Sequence, residues 1–120
     1  MSRKNSNILT IIRGDTAKFH FHRENAEGET IDTEPDKIYF TVKNSPKDSK
    51  VMFQKTIDDM TFDEEFEYHF TVEPEDTNHM NFANYYYDIE VIDEGVKTTI
   101  SYGQFILQPE VTHYNNEGES

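Results

Sequence analysis

The sequence predicts an all-β fold, a sandwich of about seven antiparallel strands, on three observations. Apolar residues recur with a period of two along most of the chain, the alternation that sets one side of a strand in a core. Clusters of Gly, Pro, Asn and Asp separate those runs at short intervals. No run of useful length carries the 3.6-residue period of a helix.

Taken in order, the apolar patch Ile8 to Ile12 makes the first strand. Ala17, Phe19 and Phe21 then alternate with Lys18, His20 and His22. The loop Asn25-Ala26-Glu27-Gly28 follows, with a glycine free to take positive φ. Ile38, Phe40 and Val42 alternate with Tyr39, Thr41 and Lys43, and Asn44-Ser45-Pro46 ends that run. Val51, Phe53 and Ile57 share one parity, with Gln54 and Thr56 on the other. Phe66, Tyr68, Phe70 and Val72 alternate with Glu67, His69 and Thr71. Helix is limited to one turn near Glu75-Asp76-Thr77-Asn78. Tyr85, Tyr87, Ile89 and Val91 form the sixth strand, and Asp93-Glu94-Gly95 is a hairpin signal into the seventh, Thr98 to Leu107. There Ile100 and Tyr102 share one parity while Phe105 and Leu107 share the other. A bulge at Gly103 is expected to keep both pairs facing the core, and Pro109 to end the pairing.

The entry into the sixth strand through Ala83-Asn84-Tyr85 is similar to the tyrosine corner of immunoglobulin-like sandwiches, which gives the expected class its name. A chain of 120 residues is about one domain's worth. The expected organisation is a flexible N-terminus at 1–6, the sandwich at 7–112 and a flexible acidic tail at 113–120. Hydrophobic residues make up only 34%, but aromatics reach 13%, and Phe and Tyr each bury ~150–250 Å². With no cysteine, a disulfide framework, a thiolate metal site and a cysteine nucleophile are all excluded.

The balance of 11 Lys plus Arg against 24 Asp plus Glu gives a net charge of -13. Such a surface repels phosphate backbones and anionic lipid, so neither nucleic acid nor membrane is expected as a partner. No segment has the ~20 apolar residues of a membrane span, and the N-terminal patch is too broken for a signal peptide.

Candidate chemistry is sparse. His20 and His22 project from one strand face, and in an immunoglobulin-like order His69 and Glu67 come beside them, the ligand types of a zinc or nickel site. These three histidines are weak metal candidates against the plainer reading of a solvated outer face. The acidic clusters Asp58-Asp59, Asp63-Glu64-Glu65 and Glu73-Glu75-Asp76 lack the spacing and glycine of an EF-hand, so solvated loop charge is expected. No phosphate loop or nucleophile elbow occurs, and no cofactor and no enzymatic activity are expected. Tyr39, Tyr86, Met52, Met60, Phe62, Met80 and Phe82 fall outside the alternating core pattern. They either close the ends of the sandwich or form a protein-binding patch, for which Tyr39, Met52, Phe62 and Tyr86 are the first candidates.

Several runs, in order and spacing, resemble a known family. They are Gly14-Asp15-Thr16 before Phe19 and Phe21, Ile38 to Lys43, Phe53 to Ile57, Pro74 to Thr77, Asn84 to Ile89, and Gly103 to Leu107 with Val111-Thr112. Over residues 8 to 112 the chain resembles the N-terminal β-sandwich module of the phage baseplate upper protein family. The resemblance implies a non-catalytic virion structural protein of a phage or prophage, assembled in the bacterial host cytoplasm. It also implies docking to other phage structural proteins of the tail or baseplate, with a homo-oligomer as a further option. A capsid decoration or head-fibre protein, and a carbohydrate- or calcium-binding sandwich module, are the alternatives.

Overall fold

The computed structural model describes residues 6–109, so the expected acidic tail and all of the expected N-terminal segment except Ser6 lie outside the described residues. Eight strands form: β1 (Ser6–Ile12), β2 (Ala17–Phe21), β3 (Lys37–Lys43), β4 (Val51–Thr56), β5 (Thr61–Phe62), β6 (Tyr68–Val72), β7 (Ala83–Asp93) and β8 (Val96–Gln108). Among the described residues the single α-helical turn is Pro74–Thr77. Seven of the strands are those the alternation predicts, and two-residue β5 is the addition. They make a sandwich of one sheet in the order β1-β8-β7-β3-β4 and another in the order β2-β6-β5. The β2–β6 pair, with β3, β7 and β8 in the opposite layer, is the immunoglobulin-like distribution of strands.

The inward parities of the two sheets interdigitate around Phe40. Its ring centroid lies 4.8 Å from Phe70, 5.6 Å from Tyr87 and 6.0 Å from Phe53. Ile38, Val42, Val72, Phe105 and Leu107 complete the centre, while Ala17, Phe19 and Phe21 pack against it from β2. Among the described residues no carboxylate is buried with them; the buried polar or charged residues there are Arg23 and Thr77. Arg23 is held by the Thr33 carbonyl at 2.7 Å and the Asp93 carboxylate at 3.2 Å. Tyr85 is buried and its hydroxyl donates to the Asn81 carbonyl at 2.8 Å, the backbone lock of a tyrosine corner. Between β7 and β8 the turn is two residues, Glu94 at φ 52 and Gly95 at φ 82, the conformation that matches strand twist.

Four local expectations are corrected. β1 runs parallel to β8 rather than antiparallel. The connection from β1 to β2 crosses between sheets, so β1 is free to lie along the outer edge of the first. The bulge in β8 sits at Ile100, three residues before Gly103: Ile89 faces Ser101, Glu90 faces Thr99, and Ile100 is left over. Ile100 packs against the core and the Ser101 hydroxyl reaches Tyr87 Oη at 3.2 Å. The shift turns Tyr102 outward, where it is 42% exposed. Gly103 has a different reason: a Cβ there would collide with the Asn7 backbone carbonyl, so the glycine lets β1 close on β8. Finally, β6 begins at Tyr68, and Phe66 lies in the preceding turn rather than on the core face.

Candidate functional site

The outer face of the five-stranded sheet is built by register. In one row across the strands Lys43 stands beside Tyr86, and Tyr86 beside Gln104. In the next row Thr41 stands beside Asp88, and Asp88 beside Tyr102. Neighbours in such rows lie within side-chain reach, and diagonal neighbours come within reach when they are aromatic or long. Together with Pro46 from the β3–β4 loop they line a groove of about 660 Å³. Thr41 is fixed by the Gln54 amide, which donates to its hydroxyl at 2.9 Å. Asp88 is half-buried in the groove. Desolvation pushes its carboxyl above the ordinary carboxylate value, Glu90 adds to the push, and Lys43 and Lys97 oppose it. Glu90 itself is partnered by Lys97 at 3.8 Å.

The outer face of the three-stranded sheet holds the histidines. His20 and His69 are register partners with ring centroids 5.7 Å apart. Each ring meets a carboxylate: His20 meets Glu67 at 2.7 Å, His69 meets Asp63 at 2.6 Å, and His22 meets Glu24 at 2.7 Å and Glu67 at 3.6 Å. The hydrogen bond from His69 holds the Asp63 carboxyl below its ordinary range, helped by the Glu67 and Glu65 amides. Among the described residues no group of three or more His, Asp or Glu side chains is placed to hold a metal ion.

A third feature is the turn between β5 and β6. The Asp63 carboxylate accepts from the Glu65 and Glu67 amides at 2.9 and 3.0 Å, and its carbonyl accepts from the Phe66 amide at 3.1 Å. This network holds Phe66 at φ 64, in the left-handed region that a bulky residue rarely enters. Its ring is 37% exposed and lies 6.0 Å from Phe62, which in turn packs on Tyr68 at 4.6 Å. Glu64 and Glu65 are exposed at the turn itself, and Asp58 and Asp59 are exposed in the short helical turn just before β5.

The four first candidates for partner contact do not form one patch. Tyr39 and Tyr86 share the outer face of the five-stranded sheet but stand two rows apart. Met52 is the extra residue of a bulge in β4 and packs against the core; Phe62 packs against it from the other sheet. Met80 is fully buried, Met60 packs on the core, and Phe82 is exposed beneath the Arg13 guanidinium at 4.2 Å. The acidic clusters serve local roles: Asp59 accepts from the Thr56 amide at 2.8 Å, and Asp76 from the Glu73 amide at 2.7 Å. Tyr102, Asp88 and Phe66 are the residues that sequence reasoning did not assign to a surface site. Asp88 was legible as an outward acid between Tyr86 and Glu90 on the same face of its own strand. The other two depended on where a bulge and a turn fall. No protein-family model matches the chain, and no curated protein matches it.

Proposed function

We propose that the chain is a non-catalytic phage or prophage virion protein that docks neighbouring structural proteins of the tail or baseplate. The observation that carries the docking part is Phe66: a bulky aromatic kept in a strained backbone conformation with much of its ring in solvent. Strain of this kind persists where surrounding structure over-determines it, and it concentrates at functional surfaces. Phe66 stands on Phe62 as an aromatic anchor, and the exposed acids of its own turn, Glu64 and Glu65, favour a partner surface that is basic around an apolar pocket. The phage assignment rests on the sequence resemblance, and the sandwich with a β2–β6 layer accords with it.

The test is to purify particles from the organism that encodes the chain and detect it by mass spectrometry and gold labelling. The expected result is label on the tail or its tip, with incorporation reduced at least several-fold by Phe66→Ala. Absence of the chain from purified particles overturns the assignment, and undiminished incorporation of the variant overturns the anchor.

A further inference from the structure

We infer that the groove on the outer face of the five-stranded sheet binds a neutral saccharide, with Tyr86 and Tyr102 against its ring faces and Asp88, Lys43 and Gln104 on its hydroxyls. This goes beyond the docking role and uses the opposite sheet from Phe66.

The argument starts from side chains without an assigned partner. The side chains of Lys43, Tyr86, Asp88, Tyr102 and Gln104 converge on one groove, and none of these side chains makes a hydrogen bond or ion pair with another described residue. On the other sheet the three histidines are engaged with carboxylates, and beside the groove Lys97 is engaged with Glu90. The carboxylate only accepts, the ammonium only donates, and the amide and the phenols do both. A ligand that satisfies all five carries many donors and acceptors at close spacing, together with apolar faces for the two phenol rings. A saccharide has that combination. The groove of about 660 Å³ falls inside the ~300–1,000 Å³ range of small-molecule sites.

Other ligand classes fit less well. A phosphate or nucleic acid would meet Asp88 and the adjacent Glu90 on a chain of net charge -13. A simple ammonium ligand would meet Lys43, which already offsets the Asp88 charge. An extended peptide gains affinity by adding to a sheet edge, whereas this groove crosses β3, β7 and β8, whose backbones are paired on both sides. The half-burial that makes the Asp88 carboxylate unfavourable alone also makes a hydrogen bond to it from a hydroxyl stronger than one in water.

The experiment is a ¹⁵N–¹H correlation NMR titration of the full chain with cellotetraose, maltotetraose and the N-acetylglucosamine tetramer. The expected result is saturable shifts for at least one sugar at residues 41–46, 86–88 and 99–104, with Kd in the ~0.1–1 mM range. Tyr102→Ala weakens that binding about tenfold, as loss of one stacked aromatic does, and Asp88→Asn weakens it several-fold. Phe66→Ala binds sugar like the parent chain, so failure of the docking proposal leaves this one standing, and the converse. Absence of groove shifts with all three sugars at ~10 mM overturns the inference. So does equal binding by Tyr102→Ala and the parent, or saturation of the groove by a partner protein in place of sugar.

Discussion

Phe66 offers a direct measurement of backbone strain. At φ 64 a non-glycine residue sits about 1–2 kcal/mol above its ordinary conformations. Glycine removes that penalty but loses about 0.5–1 kcal/mol more conformational entropy on folding than alanine does. Replacing the ring by alanine keeps the strain and gives up the ring's burial. With the residue 37% exposed, that loss is about 1–2 kcal/mol, part of the ~1.5–3 for a fully buried Phe. Phe66→Gly loses the same burial but recovers about 0.5–1 kcal/mol from the backbone. The expected order of stability is therefore parent, then Phe66→Gly, then Phe66→Ala. In urea unfolding with a slope of ~1–3 kcal/mol/M, the two variants separate by roughly 0.2–1 M in midpoint. At an ordinary site glycine is the less stable of the pair. A Phe66→Gly midpoint at or below that of Phe66→Ala refutes the strain and, with it, the observation on which the docking role rests.

Four further outcomes are expected. Arg23→Ala leaves the Thr33 carbonyl and the Asp93 carboxylate without their partner and lowers unfolding free energy by about 3 kcal/mol, read by chemical denaturation. Gly103→Ala forces β1 off β8, so hydrogen exchange should show lost protection over 6–12 before any other strand, at about 1–3 kcal/mol in global stability. The Asp63 carboxyl titrates below its ordinary 3.8 in the fold, so the unfolded chain takes up that proton first and stability falls as pH drops below about 5 towards 2. His69→Gln should flatten that acid limb in pH-dependent melts. Asp88 has the opposite sign: its folded carboxyl takes up a proton before the unfolded one, so it opposes folding at neutral pH and the opposition fades on acidification. Asp88→Asn should therefore melt above the parent at pH 7, with the difference narrowing as pH falls and gone below the ordinary carboxyl value of 3.8; a lower melting temperature at pH 7 counts against the assignment.

How much of this was legible in the sequence depends on the range of the interaction that decides each feature. The alternation of Ile38, Phe40 and Val42 is a property of one strand, so burial follows from the pattern. The lock from Tyr85 to Asn81 spans four residues and was equally open to inspection. The bulge at Ile100 depends instead on which residue of β7 faces which of β8. Two placements, at Ile100 or at Gly103, each rescue part of the apolar parity, and only the pairing with Ile89 and Glu90 chooses. Gly103 looked like a bulge because the residue that excludes its side chain, Asn7, is distant in sequence and parallel in space. Phe66 extended a run of alternating aromatics, yet the Asp63 carboxylate competes for the Glu65 and Glu67 amides and closes a turn there instead.

The charge of -13 argues against anionic partners at the level of composition, but its placement says more. On the three-stranded sheet each outward acid that faces a histidine is held by it at 2.6 to 2.7 Å. On the five-stranded sheet Glu90 has Lys97, while Asp88 is left half-buried with Lys43 near it in the field but not in contact. An acid so placed lowers the stability of the fold, and nothing in strand pairing requires it, because a Thr or Gln fits the same outward position. A charge disfavoured by its surroundings, with no structural partner in return, is what the saccharide inference builds on. The two faces differ less in how much charge they carry than in whether that charge already has a partner, and the face that lacks one is where a ligand has something to gain.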